Sequence, residues 1–265
     1  MRPTGPVENQ PAGWKPAPQG ICGALEKSAE MSLGAADTSV CATKNRNVPF
    51  FPLFAALFFI AAALAQRRPP DQSMGADFRA DALPATLLEK MRASTWHAGC
   101  PVSPEDLRAL TLSYWNFDHK QMTGVLIVHK DVAAEVVEIF HDLYRQQFPI
   151  ERMTPIEQYQ GSDDASMAAN NTSAFNCRDV TGQPGKFSNH SWGRAIDINP
   201  LTNPYVKGDT VLPPEGRAFL DRTREYTGGI PATSYVVQRF ALAGWQWGGG
   251  WTDRKDYQHF EKPVK

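Results

Sequence analysis

The chain has 265 residues, of which 42% are hydrophobic and 21% are charged, and its formal net charge is −1. This composition is typical of a globular protein with enough apolar material for one core or two. The near-neutral charge argues against a nucleic-acid-binding protein, because such proteins usually carry a strongly basic face.

The first 47 residues are rich in Pro, Gly and Ala and show no apolar periodicity. This pattern predicts a disordered leader over 1–47. The stretch is also longer than a usual lead-in to a targeting segment, and translation from Met31 would give a more ordinary one.

An unbroken apolar run follows over 48–65, with basic residues before it and Ala63-Leu64-Ala65 at its end. These features favour the hydrophobic region of a signal peptide that is cleaved after Ala65. The alternative is an uncleaved membrane anchor, because the run is just long enough to span a bilayer. Cleavage and export would give a periplasmic or secreted protein. After the apolar run, the sequence predicts a polar linker over 66–77 and a folded domain over 78–265.

Within the domain, Ser103 as N-cap and Pro104 in the first turn predict a short helix over 103–115. An apolar, β-branched segment then predicts a strand over 124–129. Apolar residues spaced three and four apart predict a longer helix over 131–147.

Further along, strands are predicted over 174–178 and 195–199, a helix over 234–243, and a short terminal strand over 257–261. Gly244 follows the last helix as its expected C-terminal cap. Because helices and short strands follow one another without regular β-α-β alternation, the predicted class is α+β, a small antiparallel sheet with flanking helices.

Cys100 and Cys177 are the two cysteines that remain after removal of the leader, which carries the other two. Since export leads to an oxidising compartment, we predict a disulfide between them. The alternative is two separate buried thiols that behave as small hydrophobic side chains.

Three polar segments stand out within otherwise foldable sequence. In the first, His190 lies in a turn and Asp197 enters a strand, so an imidazole and a carboxylate approach one point. In the second, Asp256 and His259 are three residues apart, and a bend between them would let both side chains converge. In the third, Arg178 ends a largely apolar segment.

Catalytic zinc takes three protein ligands and keeps one position open for water. His190, Asp197 and His259 would supply these ligands, and zinc would lower the pKa of the water from about 15.7 to roughly 7. Asp256 is the candidate general base, and Arg178 could stabilise the oxyanion. On spacing alone, however, ordinary surface or turn residues explain these strings as well.

The complete string reads Ser188-x-His190-x-x-Gly193-x-Ala195-x-Asp197, with Asp256-x-x-His259 some sixty residues later. It resembles a family of bacterial and phage zinc peptidases, the D-alanyl-D-alanine carboxypeptidases and L-alanyl-D-glutamate endopeptidases, whose fold is shared with the hedgehog signalling domain. The resemblance covers about 78–262 and so predicts a zinc peptidase domain over 78–265.

The resemblance implies zinc on His190, Asp197 and His259, and a general base at Asp256. An aspartate at this position looks more like the endopeptidase branch, whereas glutamate is found in the dipeptidase branch. Arg178 would correspond to the transition-state arginine of the family, although relatives often show Gly-Tyr-Arg-Ser where this chain has Phe-Asn-Cys-Arg. Ser188 would be a supporting residue that contacts either the substrate or one of the metal ligands.

The expected substrate is a peptidoglycan stem peptide, and we expect a monomer that contacts a membrane only if residues 48–65 stay uncleaved. A non-catalytic zinc-containing binding module of the same fold is the alternative. The Trp- and Gly-rich run 245–251 either borders the substrate cleft, with Trp251 as a substrate contact, or belongs to the core and a turn. The pair Asp163-Asp164 is expected in a solvated turn without a cation. The four remaining histidines have no ligand-like partners; they are His97, His119, His129 and His141.

Overall fold

The computed structural model describes residues 75–263. The predicted leader, the apolar run 48–65 and most of the linker 66–77 lie outside the described residues, so these assignments stay predictions. In the described part of the chain, no helix is both long and apolar enough to cross a membrane.

Residues 75–263 contain thirteen short strands and four α-helices. The strands are β1 (Phe78–Ala82), β2 (Leu107–Trp115), β3 (Gln121–His129), β4 (Arg152–Met153), β5 (Asn171–Thr172), β6 (Asp179–Val180), β7 (Gln183–Phe187), β8 (Ala195–Asp197), β9 (Tyr205–Lys207), β10 (Thr210–Leu212), β11 (Gln246–Trp247), β12 (Lys255–Asp256) and β13 (His259–Glu261). The helices are α1 (Ala85–Ser94), α2 (Lys130–Arg145), α3 (Asp163–Ala168) and α4 (Tyr235–Leu242).

The predicted α+β class is confirmed, but the strands form several small sheets instead of one. Three antiparallel sheets have the orders β1-β2-β3, β10-β9-β12 and β11-β13-β8. Two further pairs are the parallel β4-β5 and the antiparallel β6-β7. The specific likeness to the hedgehog fold stays a prediction.

The main core lies between the β1-β2-β3 sheet and helix α2. Alternate residues of β2, such as Leu110 and Leu112, are fully buried on the face that α2 covers. Helix α2 contributes its own apolar stripe, as its spacing predicts, and this stripe includes Val132, Val136, Ile139, Phe140 and Leu143. The strand predicted over 124–129 and the helix predicted over 131–147 are therefore confirmed, with slightly shifted ends.

The helix predicted over 103–115 is wrong. Ser103 and Pro104 begin only a single 3-10 turn, Pro104–Asp106, and residues 107–115 form strand β2. This strand pairs with β1 on one side and with β3 on the other. The capping signal was local, and the backbone hydrogen bonds to two neighbouring strands outweigh it.

The strand predicted over 174–178 is also wrong. Its backbone N–H groups reach separate segments: Phe175 donates to Ile127, Asn176 to His190, and Cys177 to Thr95. A segment whose hydrogen bonds are shared among three neighbours is extended without belonging to one sheet.

The remaining predicted elements are present in shortened form. The strand expected over 195–199 is β8, and the helix expected over 234–243 is α4, capped by the Ser234 hydroxyl and followed by Gly244 at φ +80°. The terminal strand is β13, and a bend over 257–258 separates it from β12.

The predicted disulfide is confirmed. Cys100 and Cys177 are bonded, with 5.9 Å between their Cα atoms. The bond joins the loop after α1 to the segment that leads into Arg178.

Candidate metal centre and its cleft

The loop before β8 brings His190 and Asp197 together. The Ser188 hydroxyl accepts a hydrogen bond from the backbone N–H of His190 and so caps a 3-10 turn over Asn189–Trp192. Gly193 ends this turn at φ +65°, and a Cβ there would lie 2.6 Å from the backbone nitrogen of His129. Glycine is therefore required by both backbone conformation and space, and it returns the chain into β8.

Strand pairing places His259 opposite Asp197, because β13 and β8 are antiparallel neighbours in this register. The Nδ1 atom of His259 lies 2.9 Å from Asp197 Oδ1, and Nε2 of His190 lies 3.1 Å from Asp197 Oδ2. The two imidazole nitrogens are 3.2 Å apart. All three side chains are buried.

The charges of this group depend on one another. Burial by itself would raise the pKa of Asp197, but the two neighbouring histidines hold that pKa well below its usual range. Burial by itself would lower the pKa of His259, yet its hydrogen bonds to Asp197 and Glu261 raise that pKa to about 10. In the metal-free protein, a proton on His259 therefore provides the positive charge that the carboxylates require.

This group fits a zinc ion. Nε2 of His190 and Nδ1 of His259 face each other, and there is room for only one proton between them. A single cation, in contrast, can accept a lone pair from each nitrogen. Two imidazole nitrogens and one carboxylate oxygen, all within 4.8 Å of one another, form a donor set of catalytic zinc sites. A second group of possible ligands contains His97, but its two sulfurs are joined in the disulfide.

Asp256 reaches the same cleft because of the bend between β12 and β13. The residue is partly exposed, but its Oδ1 atom is buried and has no hydrogen-bond partner in the described part of the chain. Desolvation raises the pKa of Asp256 to about 6. The Asp256 carboxyl group thus lines the same cleft as the candidate metal ligands.

Arg178 lies on another wall of the cleft. Its Nη2 atom forms a 2.8 Å ion pair with Asp163, and its Nε atom is buried without a partner among residues 75–263. The predicted turn is therefore wrong for both aspartates, which lie in the first turn of helix α3. Asp164 is exposed, whereas Asp163 is partly buried and orients Arg178. Sequence spacing gave no signal for this pair, because fifteen positions separate the two residues and no motif links them.

The two predicted substrate residues both line the cleft, which encloses about 240 Å³. Ser188 is buried, and its hydroxyl is engaged in the turn that carries His190. The Trp251 ring lies 5.4 Å from the His259 ring, and the Arg254 guanidinium is stacked over it at 4.2 Å. Their contact with substrate stays a prediction.

The Trp- and Gly-rich run 245–251 contributes both to the core and to the border of the cleft. Trp245 is buried in the main core, whereas Trp251 borders the cleft. Gly248 lies between them, where a Cβ would be 2.8 Å from Asp256 Cβ. Close approach of the backbone to the candidate base therefore requires this glycine.

The other four histidines contact parts of the molecule away from the cluster. His97 is 3.6 Å from the sulfur of Cys177, and His129 caps helix α2 through Nδ1. His141 packs edge-on against Phe78, and His119 occupies a turn at φ +56°.

Residues 181–262 match the model of a family described as D-alanyl-D-alanine carboxypeptidase. Comparisons with curated proteins and with solved structures found no match. The matched segment contains Asp256 and all three candidate metal ligands, whereas Arg178 lies just before it. The resemblance to the zinc D-alanyl-D-alanine peptidases is thus confirmed over residues 181–262, the part of the chain that forms the metal centre.

Proposed function

We propose that this protein is a zinc-dependent peptidase that hydrolyses the stem peptides of peptidoglycan. The observation that carries the proposal is the buried His190–Asp197–His259 cluster in a cleft that is also lined by Asp256 and Arg178. The family match supports peptidase chemistry.

His190, Asp197 and His259 would hold the metal. Zinc bound there would act as a Lewis acid and lower the pKa of water to about 7. Because the three candidate ligands come from two paired strands, β8 and β13, and from a tightly turned loop, the site would be largely formed before metal binding.

Asp256 would act as general base. The Asp256 carboxylate, which lines the cleft, could accept the proton of the attacking water and then transfer that proton to the amine of the leaving group. The raised pKa of Asp256 suits both steps, because a carboxyl group with a pKa of about 6 accepts and returns a proton near neutral pH more readily than an ordinary aspartate.

Arg178 would stabilise the charge that develops on the peptide carbonyl oxygen. Its ion pair with Asp163 fixes the guanidinium group at the wall of the cleft, and its Nε–H has no acceptor among residues 75–263. A donor that is oriented before the reaction contributes more than one that must reorganise during it.

Two bonds in the stem peptide are candidates. Cleavage of D-Ala-D-Ala removes one terminal residue, whereas cleavage of L-Ala-D-Glu separates the peptide near its attachment to the glycan. The family description favours the first, and the aspartate at position 256 favours the second. Because peptidoglycan lies outside the cytoplasm, the proposal includes either export by the predicted signal peptide or anchoring in the membrane by the same segment. We also propose that the enzyme is a monomer.

The test is digestion of purified peptidoglycan by the zinc-loaded protein, with products identified by mass spectrometry. We expect either free D-alanine or peptides that begin with D-glutamate, and we expect a chelator to abolish both. The Asp256→Asn variant serves as the matched control, because it should keep zinc and lose the products. Zinc binding without any product from wild type would instead support the non-catalytic binding module.

A further inference from the structure

The two nitrogens of His259 face different carboxylates. Nδ1 points to Asp197 and His190 in the metal cluster, whereas Nε2 lies 3.0 Å from Oε2 of Glu261. Residues 259 and 261 are two apart on β13, so their side chains emerge on the same face of the strand. The ring thus bridges the cluster and a carboxylate behind it.

Glu261 is itself held in place. The side-chain amide of Asn189 donates to the same Oε2 atom at 2.7 Å, and the Glu261 side chain is only 16% exposed. Asn189 directly precedes His190 in the chain. The contact therefore links the loop that carries one candidate ligand to the strand that carries another.

His190 is anchored in a comparable way by different chemistry. Its Nδ1 donates to the backbone carbonyl of Ala174 at 2.5 Å, which leaves Nε2 for the cluster. Histidines that bind metals usually donate the second ring N–H to a carboxylate or carbonyl oxygen, and this contact fixes the tautomer and increases the basicity of the ligating nitrogen. Glu261 and Ala174 occupy these two positions here.

We propose that Glu261, oriented by Asn189, is a positioning residue that holds His259 with Nε2 protonated and Nδ1 directed at the metal. The inference rests on the metal centre of the proposed function, but it does not depend on which peptide is cut. Glu261 and Asn189 thereby receive a role in addition to those proposed for the three metal ligands, the general base and Arg178.

The first test measures zinc affinity of the full-length chain by competition with a chelator. Glu261→Ala should weaken zinc binding by about 10–100-fold, as loss of such a partner typically does. Glu261→Gln should recover most of the affinity, because the amide oxygen still accepts from Nε2. Asn189→Ala should give a smaller loss than Glu261→Ala. Glu138→Ala, which removes an exposed carboxylate on α2, is the matched control and should bind zinc like wild type.

The second test identifies the ligating nitrogen by ¹⁵N NMR of the imidazole groups in the zinc-loaded protein. We expect zinc on Nδ1 of His259 and a slowly exchanging proton on Nε2, with faster exchange in Glu261→Ala. Zinc on Nε2, or unchanged affinity and exchange in Glu261→Ala, would overturn the inference alone. Zinc binding with the expected NMR pattern but no peptidase activity would overturn the proposed function and leave the inference standing. A wild-type chain that binds no zinc would overturn both.

Discussion

At the scale of single residues, three carboxylates of the cleft have different surroundings: Asp197, Asp256 and Glu261. Asp197 faces both histidines and stays ionised, whereas Asp256 is desolvated and has a raised pKa. Glu261 lies behind His259 and accepts its second N–H. Environment, and not residue type, therefore separates the proposed metal ligand, the proposed general base and the proposed positioning residue.

The role of Asp256 can be tested by replacing it with asparagine. Asp256→Asn should keep the fold and zinc but lower kcat by about 10²–10⁴-fold, because the amide cannot accept the proton. Zinc content and steady-state kinetics of the same preparation provide the measurement. If the metal-replete variant had near-normal turnover, the base would have to be another group.

The raised pKa of His259 leads to a second prediction. At pH 7 this histidine is protonated in the metal-free protein, because its pKa of about 10 lies above the pH. Zinc needs the Nδ1 lone pair, so binding should release about one proton from His259, and affinity should rise about tenfold per pH unit in this range. Calorimetry in buffers of different ionisation enthalpy measures the released proton. An apparent binding enthalpy that does not change with the buffer would contradict this assignment.

At the scale of elements, the sequence predicts best where one signal dominates. The apolar period of α2 and the Ser234 cap of α4 are local, and both helices form where they are predicted. Strand β2 was missed because the local cap at Ser103 suggested a helix, and its pairing partners are distant in the chain. The candidate metal ligands could be identified from the sequence because they belong to one recognisable motif, whereas the contacts of Asp163 and Glu261 can be seen only in the fold.

The turn at Gly193 gives a prediction for this scale. Gly193→Ala should lower the free energy of unfolding by more than the roughly 1–3 kcal/mol of a strained backbone, because its Cβ would also collide with the backbone of His129. It should weaken zinc binding as well, since the turn lies between His190 and Asp197. Gly208→Ala is the matched control, because Gly208 has φ +55° and open space around it. Equal losses in the two variants would mean that the collision with His129 is relieved without cost.

At the scale of the whole molecule, the disulfide connects the site to a second, smaller core. This core lies beneath helix α1, and Cys177 packs against it; its buried members are Met91, Val102, Leu107, Ile127 and Phe175. Leu107 and Ile127 belong to β2 and β3, so the sheet separates this core from the main one. The bond between Cys100 and Cys177 thus holds α1 and its following loop against the segment that carries Arg178.

Removal of this bond should destabilise the domain and make the segment that carries Arg178 more mobile. The proposed zinc ligands should stay in place. The two cysteines are 77 positions apart, so the cross-link stabilises the fold by roughly 4–5 kcal/mol in the chain-entropy model. The double variant Cys100→Ser/Cys177→Ser should therefore unfold at a much lower urea concentration than the oxidised wild type. A reducing agent should lower the stability of wild type and leave the double variant unchanged, which separates the cross-link from other effects of reduction. Because the proposed zinc ligands lie on β8, β13 and the Ser188-capped loop, the variant should keep its zinc affinity under native conditions. An unchanged urea midpoint, or loss of zinc from the folded variant, would show that the disulfide does not have this role.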